Sequence, residues 1–192
     1  MKLCIATHNL HKKAEIQAVL PLNYQLLDLN DLGFFDPIEE TGNSLDENAI
    51  LKAKLLFSQL QKPCIADDSG LEVESLNMAP GVYSARYAGE EKDDLANMNL
   101  LLSNLKHIEN RSARFRTVIA YIPSFEVQFL FEGIIEGRIA HHMKGSNGFG
   151  YDPIFIPNGY DETFGELSSE IKQKISHRSL AIQKFVAFLS QK

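Results

Sequence analysis

The sequence contains no tryptophan, only two cysteines among 192 residues, and fewer cations than anions. With 19 Lys and Arg against 25 Asp and Glu, the formal net charge is −6. This balance argues against a general nucleic-acid scaffold, which needs a basic surface. No apolar run approaches the ~18 residues of a membrane span, and the segment Met1–Thr7 is too short and too polar for a signal peptide. We therefore expect a cytoplasmic protein that binds neither nucleic acid nor membrane.

The two cysteines, Cys4 and Cys64, lie in apolar runs and lack the spacing of metal ligands. This pattern predicts small core residues in a reducing compartment. The length of 192 residues and the 44% hydrophobic composition suit one globular domain, and we expect a single domain over residues 1–192.

Apolar periodicity predicts an interleaved series of strands and helices. Strands are predicted at Leu3–Ala6, Tyr24–Leu29, Cys64–Ala66, Ala113–Tyr121 and Val127–Ile135. Helices are predicted around Ile16–Leu20, from the N-cap Ser44 to Leu60, around Leu95–Leu105 and around Leu180–Leu189. The last two strands form a hairpin, which breaks strict alternation. The pattern therefore predicts an α/β fold with a mixed sheet.

Two adjacent carboxylates, Asp67 and Asp68, follow the predicted strand Cys64–Ala66. We expect them at the carboxyl end of that strand, where ligands bind in open α/β sheets. Ionised carboxylates tolerate partial burial only beside a cation or strong donors, and a hard metal such as Mg²⁺ would supply that charge. The alternative is an ordinary turn over Asp68-Ser69-Gly70, with Asp accepting backbone N–H bonds.

Other segments combine polar groups that could contact a ligand. The loop from Thr7 to Lys12 leads into a helix N-terminus, which attracts anions, although a solvated cap is the alternative. Glu39-Glu40 could add a metal ligand or form a solvated acidic loop, and Lys52 could bind a ligand or lie on the surface.

Two further segments lie in the second half of the chain. Phe149 between glycines could stack on a nucleobase or pack inward at a turn. Ser176-His177-Arg178 gathers donors at a helix start, near Lys172, although such pairs also serve as caps.

Together these blocks resemble the inosine triphosphate pyrophosphatase family, which hydrolyses deaminated purine nucleoside triphosphates. The matching segments follow the family order and cover most of the chain. They are Ala6–Lys12, Glu39–Gly42, Glu47–Ala53, Ala66–Gly70, Ala79–Gly89, Gly148–Phe155, Glu166-Leu167 and Ile175–Arg178. The resemblance implies an elongated mixed sheet flanked by helices, two lobes with a central nucleotide cleft, and a homodimer. It also implies Mg²⁺-assisted hydrolysis of ITP, dITP and XTP to the monophosphate and pyrophosphate.

The resemblance also implies residue roles. Asp68 would be the general base, Glu40, Asp67 and Asp68 would serve the metal, and Ser69 would contact substrate. The phosphates would lie on Thr7, His8, Asn9, Leu10, His11 and Lys12, and the nucleotide would contact Phe149, Gly150, Tyr151, Asp152, Lys172, His177 and Arg178. Because a triphosphate is strongly anionic, an acidic protein must gather cations around it, and Lys52 would join Lys12, Lys172 and Arg178.

The residues implied by the resemblance also give a chemical reason for the choice of purine base. Hypoxanthine and xanthine carry a 6-oxo acceptor where adenine carries an amino donor. Donors from His177 and Arg178 would be unpaired against adenine, a mismatch that can discriminate by ~10⁴.

One departure concerns His8 and His11, which stand where the family usually has glycines. Their bulk could close part of the phosphate cradle, or protonated imidazoles could add charge to it. The alternative function is a purine-nucleotide-binding regulator that does not hydrolyse its ligand.

Overall fold

The computed structural model describes residues 1–191, in which strands and helices alternate along most of the chain. The strands are β1 Lys2–Ile5, β2 Gln25–Leu27, β3 Cys64–Val73, β4 Ser112–Ser124, β5 Val127–Ile139 and β6 Phe155–Pro157. The helices are α1 Leu10–Val19, α2 Leu45–Leu60, α3 Asp94–Asn104, α4 Ser169–Ile175 and α5 His177–Leu189. In this part of the chain no helix has the length and apolar character needed to cross a bilayer.

Among the described residues the strands form one six-stranded sheet in the order β2-β1-β3-β4-β5-β6. Strand β1 is parallel to both β2 and β3, whereas β5 and β6 are antiparallel. Only Phe125-Glu126 connect β4 to β5, and so short a connection joins antiparallel neighbours because parallel strands need a long crossover. The predicted α/β fold with a mixed sheet flanked by helices is confirmed.

The structure corrects the prediction for β3. This strand does not end before Asp67 and does not turn at Ser69-Gly70, but continues to Val73, so both carboxylates lie inside it. Gly70 makes the continuation possible, because a Cβ there would lie 2.3 Å from the carbonyl oxygen of Gly81. Glycine is therefore required at this position by a close approach of two backbone segments and not by a turn.

The chain forms two compact units, which we describe separately. The first comprises Met1–Asp68, Thr117–Gly133 and the chain from His177 onward, and its core includes Ile5, Ile16 and Phe185. The second comprises Ser69–Arg116 and Ile134–Ser176. Its core gathers residues such as Leu101, Phe155 and Phe164. The single domain expected from the chain length stays a prediction.

The cysteines are core residues, as predicted. Cys4 on β1 and Cys64 on β3 are register partners in the sheet, and both are buried free thiols. Burial raises the pKa of Cys64 to about 12. Such thiols remain protonated and serve as small apolar residues.

Candidate active site

Asp67 is a buried carboxylate in β3 that meets two cations of the first unit. Its Oδ2 accepts a hydrogen bond from Arg178 Nε at 3.2 Å and lies 3.1 Å from Lys12 Nζ. Burial alone would raise the pKa of Asp67, but Lys12 and Arg178 outweigh it and hold the pKa below its usual range. Asp67 is therefore a fixed negative charge across the physiological pH range.

Asp68, the next residue of β3, has a different environment. Its Oδ1 accepts from Lys52 Nζ at 2.7 Å, and its Oδ2 accepts from Asn48 Nδ2 at 3.4 Å. Burial raises the pKa of Asp68, and the attraction of Lys52 and Lys12 offsets this only in part. Two neighbouring carboxyl groups thus have pKa values moved in opposite directions, and Asp68 is the better proton acceptor.

Lys52 on α2 links Asp68 to the loop before the helix. Its Nζ donates to Glu40 Oε1 and to Asp68 Oδ1, both at 2.7 Å. The side chain is buried, which rules out the surface position that sequence left open. Burial would lower the pKa of Lys52, but Asp68 and Glu40 raise it to about 12, so the ammonium stays charged.

Capping at the start of α2 places these groups. Ser44 is the N-cap, as predicted, and its hydroxyl accepts from the Glu47 N–H at 3.2 Å. The Glu47 carboxylate accepts from the N–H of Asn43 at 2.7 Å, one residue before the cap. The next residue, Asn48, accepts through Oδ1 from the Gly42 N–H at 2.8 Å. The loop that carries Glu40 is therefore tied to the first turn of α2.

The loop from Thr7 to Lys12 connects β1 to α1 in the same unit. Asn9 is the N-cap of α1, and its Oδ1 accepts from the backbone N–H groups of His11 and Lys12 at 2.9 and 3.1 Å. The hydroxyl of Thr7 accepts from the N–H of Asn9 at 3.1 Å. Leu10 is exposed. The side chains of Thr7 and Asn9 close this loop with hydrogen bonds to its own backbone, and Lys12 is the residue that contacts Asp67.

His8 and His11, the two histidines of this loop, have different surroundings. His8 Nε2 lies 3.1 Å from the carbonyl oxygen of Asp36, and Nδ1 lies 3.2 Å from Asn30 Oδ1. Because a carbonyl oxygen only accepts, Nε2 carries the proton. His8 thus bridges to the loop after β2, whereas His11 is exposed.

Arg178 and His177 begin helix α5, and both are buried. Besides Asp67, the guanidinium pairs through Nη1 with Glu15 on α1. Burial alone would lower the pKa of Arg178, but Asp67 and Glu15 raise it. Arg178 is thus engaged with carboxylates of its own unit, and its predicted contact with a purine stays a prediction.

The second unit holds the predicted aromatic segment. Lys172 Nζ lies 4.7 Å from the centroid of the Phe149 ring and donates to Asp152 Oδ2 at 2.6 Å. The same oxygen accepts from the N–H of Phe149 at 2.8 Å. Gly148 has φ +78°, and a Cβ there would lie 1.9 Å from Asp152 Oδ2. Asp152 therefore fixes both the aromatic loop and the lysine beside it.

Neighbouring contacts hold the rest of this loop. The Gly150 N–H donates to Asp94 Oδ2, and the Tyr151 hydroxyl donates to the carbonyl oxygen of Ser84, both at 2.8 Å. Burial raises the pKa of Tyr151. Ser69, also in this unit, is partly exposed in β3.

The structure therefore brings half of the predicted site residues into two clusters, one in each unit. The first, which we call the carboxylate cluster, contains Lys12, Glu40, Lys52, Asp67, Asp68 and Arg178. The second contains Phe149, Asp152 and Lys172. Sequence reasoning assigned no role to Glu15 or Asn48. Asn48 lies four residues before Lys52 and therefore on the same face of α2, a spacing that could have revealed it.

The carboxylate cluster can be compared with the needs of Mg²⁺. Across residues 1–191 no group of three His, Cys, Asp or Glu side chains is arranged to hold a metal ion. Mg²⁺ ordinarily uses one or two carboxylates and completes its shell with phosphate and water. Glu40 and Asp68 meet this need, because both already contact a single cationic atom, Lys52 Nζ.

Comparison with known proteins gives concordant results. The profile of the Ham1 family matches residues 3–188. A dITP/XTP pyrophosphatase from Christiangramia forsetii is 50% identical over 191 residues, covering 100% of each sequence. The structure of the Staphylococcus aureus Ham1 protein superposes with a TM-score of 0.89 at 43% identity, covering 100% of this chain and 99% of that one. A HAM1 protein from Coxiella burnetii gives a TM-score of 0.92 at 38% identity, with 100% of both chains covered.

Proposed function

The chain belongs to the Ham1 family, and from this premise we propose that it hydrolyses deaminated purine nucleoside triphosphates. The substrates would be ITP, dITP and XTP, and the products the nucleoside monophosphate and pyrophosphate. Relatives of high identity bear the name dITP/XTP pyrophosphatase. The role in the cell would be removal of these nucleotides from the precursor pool.

One observation carries the proposal: adjacent carboxylates in β3 have opposite electrostatic environments. Asp67, with Lys12 and Arg178, is held ionised, whereas burial raises the pKa of Asp68. A pair of this kind supports two roles, a fixed charge and a proton acceptor. We therefore assign Asp68 as the general base that takes a proton from the attacking water.

The cations of the carboxylate cluster supply the complementary function. Attack on a phosphoanhydride builds negative charge on phosphate oxygens, which fixed ammonium groups stabilise. Lys52 is suited to this because its pKa of about 12 keeps it charged at any physiological pH. Lys12, on the helix that follows the first loop, would contact the phosphates in the same way.

We further propose Mg²⁺ as the cofactor, held by Glu40 and Asp68 together with substrate phosphates. Asp67 would contribute its charge nearby, because it is buried against Lys12 and Arg178. When bound, Mg²⁺ would neutralise charge on the phosphates. Asp68 would be both a metal ligand and the general base. Turnover should therefore depend on whether the metal is bound.

The second cluster would bind the base. The ring of Phe149 could stack on a purine, an interaction worth about 1–3 kcal/mol. Asp152 would act indirectly, since it holds both the Phe149 backbone and the Lys172 ammonium. The assignments of Ser69 and His177 to substrate, and the homodimer, remain proposals of the same kind.

The decisive experiment measures pyrophosphate release from ITP, XTP, dITP, GTP and ATP with Mg²⁺ and with excess EDTA. We expect rapid release from the first three nucleotides, slow release from GTP and ATP, and loss of activity with EDTA that Mg²⁺ restores. Nucleotide binding by calorimetry without pyrophosphate release would instead establish a regulator and refute the enzyme. Release of inorganic phosphate instead of pyrophosphate would refute the assigned bond.

A further inference from the structure

Asn48 is a fully buried polar residue that contacts Asp68 of the carboxylate cluster. Its Oδ1 accepts from the Gly42 N–H at 2.8 Å, and its Nδ2 donates to Asp68 Oδ2 at 3.4 Å. Both partners fix the orientation of the amide, because an N–H can only donate and an ionised carboxylate can only accept. A flipped amide would lose both hydrogen bonds.

The approach of Gly42 to this amide is tight. A Cβ on Gly42 would lie 2.7 Å from Asn48 Oδ1 and 2.7 Å from the Cβ of Glu47. Any other residue would push the loop or the amide away. The loop of residues 39–42, which carries Glu40, can therefore lie against α2 only with glycine at this position.

Asn48 and Lys52 divide the two oxygens of Asp68 between them. Lys52 holds Oδ1 with a short, charged hydrogen bond of 2.7 Å, and Asn48 holds Oδ2 with a long, neutral one of 3.4 Å. Oδ2 is thus held by a neutral donor, whereas Oδ1 is held by an ammonium, and Oδ2 remains the more available oxygen for a proton.

We propose that Asn48 is a positioning residue, which aims Oδ2 of Asp68 at the attacking water and ties that carboxylate to the loop of Glu40. This role rests on the proposed function, in which Asp68 is the general base. It predicts an effect on the chemical step, since loss of the amide leaves Asp68 present but held by Lys52 at Oδ1 alone. Misplacement of a reacting group by about 1 Å can cost 10²-fold in rate.

The test is the pH dependence of kcat for ITP hydrolysis in Asn48→Ala and Asn48→Asp. We expect Asn48→Ala to lower kcat by about 10- to 100-fold while KM changes by less than about threefold. Asn48→Asp should also move the acid limb of the kcat profile to higher pH by about one unit, because a like charge beside Asp68 raises its pKa. The charged groups that face Asp68 are Lys52 on α2, Lys12 on α1 and Glu40.

The matched control is Asn97→Asp in the second unit. Asn97 is also a buried asparagine that accepts from one backbone N–H, of Ala88, and donates to one carbonyl, of Ala85. The Asn97→Asp variant should have a lower melting temperature and an unmoved acid limb of the kcat profile. If it moves that limb as far as Asn48→Asp does, the effect is structural and the positioning role is refuted.

A second perturbation leaves Asn48 in place. Gly42→Ala adds a methyl group against the amide without changing any charge, and we expect kcat to fall at least about tenfold. Gly33→Ala is its control, because a Cβ there meets nothing within 4 Å, so at φ +78° it adds local backbone strain without contact with Asn48. If the Asn48 and Gly42 variants fold and show normal kcat with an unmoved acid limb, the positioning role of Asn48 is refuted while the proposed function stands. A wild-type chain that releases no pyrophosphate would overturn the proposed function, and this role with it.

Discussion

Replacing Asp67 by asparagine should lower the stability of the fold, whereas replacing Asp68 by asparagine should lower turnover. Asp67 faces Arg178, which is 2% exposed. Breaking a buried ion pair costs about 3–5 kcal/mol, and the low end applies because Glu15 still pairs with Arg178. For a chain of this length about 3 kcal/mol lowers the melting temperature by about 6–12 °C.

The contribution of the ionised carboxylate to folding stability has the opposite sign at Asp68. A carboxyl whose pKa is lowered by folding, as for Asp67, stabilises the protein above its unfolded pKa, and this stability is lost as the pH falls. Folding raises the pKa of Asp68, so ionised Asp68 opposes folding at neutral pH. Asp68→Asn should therefore leave the melting temperature nearly unchanged, with Lys52 still paired to Glu40, while kcat falls by about 10²–10⁴.

Thermal unfolding followed by circular dichroism and pyrophosphate release from ITP measure the two effects. Asp161→Asn is the control, because Asp161 is fully exposed and its ion pair with Arg138 contributes little. Near-normal turnover of Asp68→Asn would refute the general base. A large loss of stability in Asp68→Asn, with none in Asp67→Asn, would refute the electrostatic reasoning.

Three further substitutions test other parts of the structure. Phe149→Ala should raise KM for ITP by about 5- to 100-fold through lost stacking, and an unchanged KM would remove Phe149 from the base site. Gly70→Ala should destabilise the chain by about 1–3 kcal/mol because its Cβ would collide with the Gly81 carbonyl; denaturant unfolding would show this, and wild-type stability would contradict the contact. His11→Gly should leave kcat/KM intact or raise it, because His11 is exposed; a loss of more than tenfold would show that the imidazole contributes.

Features governed by local sequence were predicted well. The N-cap at Ser44 and the apolar periodicity of α1, α3 and α5 depend on neighbours within a few residues, and these elements formed as predicted. Short elements without strong periodicity were missed, namely β6 and the seven-residue helix α4. Three or seven residues carry too few apolar positions to define a period.

Features governed by distant contacts were not predictable. Gly70 looked like a turn residue, because the contact that requires glycine there is with Gly81, on a separate segment of backbone. Lys52 looked like a surface lysine because its partners, Glu40 and Asp68, lie 12 and 16 residues away along the chain. Family resemblance named the site residues, but it gave neither the burial of Arg178 against Asp67 nor the contact of Asn48 with Asp68.

The pairing within the carboxylate cluster has a consequence for how a nucleotide binds. Its cations already contact acidic groups of the same unit: Lys12 contacts Asp67, Lys52 contacts Glu40 and Asp68, and Arg178 contacts Asp67 and Glu15. Binding of a polyanion would then be an exchange reaction, in which lysines change partner from carboxylate to phosphate. The released carboxylates would need another cation. Nucleotide and divalent cation should therefore each raise the affinity of the other by the same factor, so this coupling can be measured from either side.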